Sequence, residues 1–240
     1  MNALRGKIVL ITGASRGLGR SVSLAFAREG AHLALAARTA PQLEDVAKEA
    51  RSLGAEALPV PTDVADPSQV EACVATVQQS LGPIDILVSN AGANVRKPIV
   101  ELTPVEWDLI QHTNLRPAFL LARAVLPDML SRGDGHLFLV ASIVGRRGGA
   151  GSAAYRAAKA GLINFSQSLA AEVKERGIRV TAVLPGALDT PWFHDRPETE
   201  RPPMLDPEEV ARVIVAVASL DRATLVPEIS IVPTRELGWP

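Results

Sequence analysis

The chain has 240 residues, 47% of them hydrophobic and 21% charged, with a formal net charge of -1. That balance suits a globule with a sizeable core and excludes the basic footprint that nucleic acid or an anionic membrane surface demands. One cysteine, Cys73, cannot form an internal disulfide, and no apolar run approaches the ~20 residues of a membrane span.

Seven short apolar runs read as strands: KIVLIT (7–12), HLALAA (32–37), AEALPV (55–60), IDILVS (84–89), HLFLVAS (136–142), RVTAVL (179–184) and EISIV (228–232). Most are apolar on both faces, as expected when helices cover both sides of a parallel sheet. Helix starts fall between them. Asp66-Pro67-Ser68-Gln69 and Thr103-Pro104-Val105-Glu106 read as capping boxes with proline at the first helical position, and Asp206-Pro207 opens a third helix. Gly177, after Lys174 and Arg176, reads as a helix stop. Strands alternating with helices predict a doubly wound α/β fold, one domain over residues 1–240, with right-handed crossovers. The one long irregular stretch, 186–205, follows a strand's carboxyl end, where such sheets place ligands, and is expected to be a substrate lid. The N-terminus MNALRGKIVLITG is too polar before its strand for a signal peptide, so the expected location is the cytoplasm, with neither nucleic acid nor membrane as partner.

The turn after the first strand, ITGASRGLGR, opens the first helix. Gly13, Gly17 and Gly19 let the backbone turn tightly and approach a pyrophosphate at the helix's positive end, the pattern of a Rossmann-type dinucleotide site. An NAD site wants a carboxylate at the end of strand two for the ribose 2′-hydroxyl. Here the strand ends ALAARTA and the next acid is Glu44. Arg38 stands at the strand end and Arg16 in the turn, and two guanidiniums can clamp a 2′-phosphate. NADP(H) is the expected cofactor.

The chain's only tyrosine, Tyr155, lies four residues before Lys159 in YRAAK, so both project from one helix face. A free phenol has a pKa of ~10, and a nearby ammonium is expected to lower it toward the range useful for acid–base catalysis. Asn114, in QHTNLRP, precedes Pro117, which lacks an N–H and opens the helix locally, leaving room for a water between Asn114 and a lysine. Ser142 ends the fifth strand, at the ligand edge of the sheet.

The Gly-x-x-x-Gly-x-Gly turn, SNAG at 89–92, Asn114, Ser142, the Tyr155–Lys159 pair and LPGALDT at 184–190, in this order, resemble the short-chain dehydrogenase/reductase family. The closest motifs are those of its 3-oxoacyl-acyl carrier protein reductase-like members. The resemblance implies hydride transfer between nicotinamide and a small-molecule carbonyl or secondary alcohol, with a 3-oxoacyl thioester among the candidate substrates. It implies a catalytic tetrad of Asn114, Ser142, Tyr155 and Lys159, with Lys159 and Tyr155 also touching the nicotinamide ribose. From the glycine turn it implies cofactor contacts at Gly13, Ser15, Arg16, Gly17, Leu18 and Gly19, followed by Arg38. Further along, Asp63 and Val64 would meet the adenine, Asn90, Ala91 and Gly92 would line the crevice, and Pro185, Gly186, Leu188 and Thr190 would approach the nicotinamide. Ser89 departs from the family's asparagine, and the tail ISIVPTRELGWP lacks its glycine-rich turn.

Residues 93–97, 143–151 and 187–205 are expected to line the substrate pocket. Helices over 104–131 and 153–176 are those the family pairs across a two-fold axis, which implies a homodimer or homotetramer. No metal is expected, because His32, His112, His136 and His194 lack ligand spacing. The alternative is an NADP(H)-binding regulator or scaffold without catalysis. That reading predicts loss of a tetrad residue, and none is missing.

Overall fold

The seven apolar runs lie side by side in a computed structural model that describes residues 3–193 and 197–235. Strands β1 (Ile8–Thr12), β2 (His32–Ala37), β3 (Ala57–Pro61), β4 (Ile86–Ser89), β5 (Gly135–Val140), β6 (Ile178–Pro185) and β7 (Glu228–Ile231) form one sheet. Its order is β3-β2-β1-β4-β5-β6-β7, and every pairing is parallel. A parallel sheet needs cover on both faces, and the strands supply the apolar surface for it: every residue of β1 and β5 is buried.

Helices α1 (Gly17–Arg28), α2 (Ala40–Ser52) and α7 (Pro207–Ala218) cover one face, burying Phe26, Leu43, Val46 and Ile214 against it. Helices α3 (Pro67–Ser80), α5 (Arg116–Arg132) and α6 (Ala153–Val173) cover the other, with Val77, Leu121, Met129 and Leu162. Cys73 belongs to this second core, and burial pushes its thiol pKa up, as for a small apolar residue. Each fully buried Leu, Ile or Phe contributes about 1.5–3 kcal/mol by leaving water, so the two cores dominate the fold's cohesion.

The sequence predicts a single helix over 104–131, and in the structure that segment is broken in two. Helix α4 (Pro104–Asn114) ends one residue before α5 begins, and Leu115 adopts φ -108, ψ -53 at the joint. Pro117 is the cause, since it has no N–H to offer the Thr113 carbonyl. The break puts Asn114 at a helix end, 3% exposed, facing the carboxyl edge of the sheet.

The start signals hold with one difference. Thr103 and Glu106 make the reciprocal box: the Glu106 N–H donates to Thr103 Oγ1 at 3.2 Å and the Thr103 N–H to Glu106 Oε2 at 3.0 Å. Asp66 accepts from the Ser68 and Gln69 N–H groups, but the Gln69 Oε1 accepts from Asp63 N rather than from Asp66. That side chain braces the loop after β3 instead of completing a box. Gly177 ends its helix in the left-handed region at φ 80. Because the strand order reverses between β1 and β4, the loops after those strands diverge and leave a crevice at the carboxyl edge. Among the described residues no helix is long and apolar enough to cross a membrane.

Candidate active site

The glycine turn after β1 is built by close approach. Gly13 and Gly17 have φ 65 and 54, the left-handed region that glycine enters at no steric cost. At Gly19 the constraint is space: a Cβ there would stand 2.1 Å from the Gly13 carbonyl oxygen. The helix start therefore sits directly on the strand end, with its first N–H groups directed at the crevice. Ala14 and Leu18 are buried beneath the turn, Ser15 is half-buried, and Arg16 is exposed as the residue before α1.

Across the reversal, Asn90 and Ala91 join β4 to β1. Their N–H groups donate to Thr12 Oγ1 at 3.0 and 3.2 Å, and Asn90 Nδ2 donates to the Thr12 carbonyl at 3.1 Å. Thr12 is fully buried and was read only as a strand residue; its position immediately before the first glycine is the signal that could have marked it. Asp63 accepts from the Ala65 N–H at 3.0 Å and shapes the loop in which Val64 is buried.

The charge pattern at the end of β2 is as anticipated. Ala14 N–H donates to the Ala36 carbonyl at 3.2 Å, which draws the glycine turn against that strand end. Arg16 and Arg38 are both exposed, and neither makes an ion pair among the described residues. Glu44, the first acid beyond the strand, lies on α2 and is held by Arg51 at 2.7 Å.

Asn114, Ser142, Tyr155 and Lys159 come together beyond Gly92. Ser142 lies past the end of β5 and heads the short 3-10 turn Ile143–Arg146, with its Oγ 3.3 Å from the Pro185 carbonyl. The Ser142 hydroxyl lies beside the Tyr155 phenol and acts to lower its pKa. Lys159 is 3% exposed; its ammonium donates to the Val140 carbonyl at 2.8 Å and stands 5.6 Å from the centre of the Tyr155 ring. Asn114 Nδ2 donates to the carbonyls of Ala93 and Ile110 at 2.8 and 2.9 Å, which leaves its Oδ1 buried without a partner. A Cβ on Gly92 would lie 2.8 Å from that oxygen and 3.9 Å from Lys159 Nζ, so glycine keeps the two polar atoms facing each other.

The stretch after β6 closes over these groups. Gly186 N–H donates to Ile231 O at 2.8 Å. Leu188 pairs with Leu205, while Asp189 N–H donates to Leu205 O and Leu205 N–H to Ala187 O at 2.8 and 2.9 Å. Thr190 reaches back to the glycine turn, 3.2 Å from where a Gly17 Cβ would stand. The Trp192 ring then meets Tyr155, centroids 5.8 Å apart. His194 and the tail beyond residue 235 lie outside the described residues.

The sequence model of a family described as short chain dehydrogenase matches residues 7–201. The chain belongs to the short chain dehydrogenase family. Its relatives include the 3-oxoacyl-acyl-carrier-protein reductase FabG of Thermotoga maritima, 37% identical over 90% of this chain and 92% of that protein. The Escherichia coli protein of that name is 34% identical over 93% and 94%. Among solved structures, a metagenomic short-chain oxidoreductase in complex with NADP covers 98% of this chain and 100% of its own at 30% identity, with a TM-score of 0.86. An alcohol dehydrogenase from the archaeon Thermococcus sibiricus, complexed with 5-hydroxy-NADP, covers 94% and 95% at 29% identity and a TM-score of 0.87.

In this short chain dehydrogenase one residue that the sequence left unassigned has a structural role, and one expectation is overturned. Arg156, between the tyrosine and the lysine, holds the loop after β5: its guanidinium donates to the carbonyls of Arg147 and Gly148 at 2.8 and 3.0 Å and to Ser152 Oγ at 3.0 Å. Its four-residue spacing from Ser152 was the available signal. The overturned expectation is electrostatic. Burial pushes the Tyr155 phenol pKa up, not down, although the Ser142 hydroxyl works against it. Burial also brings the Lys159 ammonium from its ordinary 10.5 down to about 7. Both groups lose water, and the ammonium spends a hydrogen bond on Val140, so dehydration outweighs their mutual attraction.

The lysine makes stability depend on pH. Between its folded value of about 7 and its unfolded value near 10.5 the unfolded chain binds this proton more readily than the folded one, so folding strengthens as pH rises through that window. In Lys159→Met, which needs no dehydrated ammonium, the cofactor-free protein should melt above wild type near neutrality. The gap should close by up to ~1.4 kcal/mol per pH unit as pH rises. Thermal melts of both proteins across pH check this; a gap that stays constant would show that the amine is not depressed.

Proposed function

We propose that this protein is an NADP(H)-dependent oxidoreductase that reduces a small-molecule carbonyl, or oxidises the corresponding secondary alcohol, through Asn114, Ser142, Tyr155 and Lys159. The observation that carries the reading is the convergence of these four side chains at one crevice, with the amine buried and its Nζ 5.6 Å from the centre of the Tyr155 ring. A scaffold that only binds the cofactor has no use for a dehydrated lysine and an orphaned Asn114 Oδ1, both of which cost stability.

The crevice fits the cofactor. The glycine turn leaves room for a pyrophosphate, with Ser15, Gly17, Leu18 and Gly19 along it, and Asn90, Ala91 and Gly92 would flank the nicotinamide side with Pro185, Gly186, Leu188 and Thr190. When bound, NADP(H) supplies or accepts the hydride. Tyr155 donates its proton to the substrate oxygen in reduction, and burial keeps the phenol loaded with that proton at neutral pH. Ser142 orients the phenol and stabilises negative charge developing on the same oxygen. After reduction Lys159, near 7, can return a proton toward Tyr155 at physiological pH, and Asn114 Oδ1 can accept a hydrogen bond from a water that would reload the lysine. Arg16 and Arg38 select the 2′-phosphate, while Asp63 and Val64 border the adenine. A 3-oxoacyl thioester is one candidate substrate, in keeping with the names of the Thermotoga maritima and Escherichia coli relatives. One domain carries binding and catalysis, residues 186–205 serve as the lid, and the buried lone cysteine suits the cytoplasm.

The assembly we propose is at least a dimer. Val105 and Leu109, one turn apart on α4, and Phe119 on α5 expose large apolar surface that a second copy would cover. Light scattering at micromolar concentration should give twice the chain mass or more, and a monomer would reject the assignment.

Cofactor choice is tested by titration. NADPH should bind at least about tenfold tighter than NADH, since a lost charged contact costs ~1.5–3 kcal/mol. Arg38→Asp should narrow or reverse that preference, and equal affinities in the wild type would refute the clamp. The chemistry is tested by Tyr155→Phe, which keeps the ring and removes the acid. Its kcat for carbonyl reduction should fall ~10²-fold or more while NADPH binding and Tm stay near wild type. Retention of most of the activity would overturn the mechanism.

A further inference from the structure

Trp192 stands exposed where a surface tryptophan has little reason to be. It is 40% exposed, its indole N–H has no partner among the described residues, and its one ring contact is with Tyr155, at 5.8 Å between centroids and a 52° inclination. The backbone on either side of it is nonetheless tied to the fold. Pro191 precedes it, the short turn Pro191–Phe193 is closed by Phe193 N–H donating to Thr190 O at 3.0 Å, and Thr190 rests on the glycine turn. The base of the segment is pinned by the hydrogen bonds of Ala187 and Asp189 to Leu205. A large apolar side chain held in place by backbone, yet left open to water, is the arrangement of a contact residue rather than a core residue.

What it would contact follows from its neighbours. Tyr155 also packs against an apolar cluster in which Ala93, Val95 and Leu102 meet Ile110, Ala154 and Ala158. The phenol that would protonate the substrate is therefore bordered by both apolar side chains and the tryptophan ring. Those two rings already touch, so a substituent next to the reacting carbonyl would lie against the exposed part of Trp192 beside the phenol and meet aromatic surface. Such surface favours flat or bulky apolar groups through stacking and loss of exposed area, and offers little to a methyl group. We infer that Trp192 is a specificity-determining residue that selects carbonyl substrates bearing a flat or bulky apolar group beside the reacting carbon.

The inference rests on the carbonyl-reductase reading, and a matched pair of substrates separates the two. Ethyl benzoylacetate and ethyl acetoacetate differ only in phenyl against methyl next to the ketone. With NADPH, wild type should prefer the phenyl compound by about tenfold or more in kcat/KM. Trp192→Ala should lower that ratio about tenfold, and Trp192→Phe should restore most of it. If Trp192→Ala depresses both substrates equally, or neither, the ratio stays flat, the residue merely props the segment, and the inference falls while the reductase reading survives. Loss of the reductase reading looks different: no variant, wild type included, reduces either ketone, and the inference goes with it. Binding gives an independent readout. In a Trp107→Phe background, which keeps Trp192 and Trp239, ethyl benzoylacetate should quench indole emission, and the quench should vanish when Trp192→Phe leaves only Trp239 to emit. Persistence of the quench in that double variant would also overturn the assignment.

Discussion

The hydroxyl of Thr12 ties together two strands whose following loops run in opposite directions. It accepts from two consecutive N–H groups on the far side of the reversal, and the side chain of Asn90 returns a third bond to the same residue. The crevice between β1 and β4 can open only because the winding reverses there, and it keeps a fixed width because this clamp spans it. The glycine turn on one lip and Gly92 on the other inherit their positions from it. Placed on helix α6, Tyr155 and Lys159 are aimed at this fixed edge by packing that begins many residues away, at Leu162 and Leu169.

The same packing sets the electrostatics. A lysine enclosed behind β5 has one carbonyl to bond and little water, so its proton is held weakly. A phenol in the same surroundings resists losing its proton. Each departure is the ordinary consequence of removing charge from water, and together they move an amine toward neutrality while the phenol keeps its proton. The orphaned oxygen of Asn114 belongs to this economy: its amide nitrogen is fully committed, so its oxygen can turn only toward the lysine side of Gly92.

Much of this was legible from residue order because the relevant relations are local. A tyrosine and a lysine one helical turn apart share a face wherever that helix goes. The missing carboxylate after β2 is visible as an absence, and Pro117 advertises the break at Leu115 through the donor it lacks. What escaped depends on distant chain. Whether the phenol is raised or lowered is decided by how deeply the packing of α4 on α6 buries it, and spacing carries no depth. Arg156 looks like a solvent-facing helix residue until the loop after β5 folds its carbonyls around the guanidinium. Gln69 satisfies a capping pattern in sequence, yet its Oε1 accepts from the Asp63 N–H because the Asp66 N–H already donates to the Asp63 carbonyl. Trp192 belongs to a stretch without periodicity, where no pattern assigns a neighbour.

The pinned base of the segment between Ala187 and Leu205 bears on how such a scaffold diversifies. Because its two ends are hydrogen-bonded to each other and Leu188 and Leu205 pack onto the core, the sheet senses only the stem and not the chain beyond it. Doubling the length of a loop so closed costs only about 0.6 kcal/mol in entropy. Insertions beyond Phe193 can therefore accumulate while Thr190 stays on the glycine turn and Tyr155 and Lys159 keep their places. Substrate range and catalytic power become separately heritable traits on one chain.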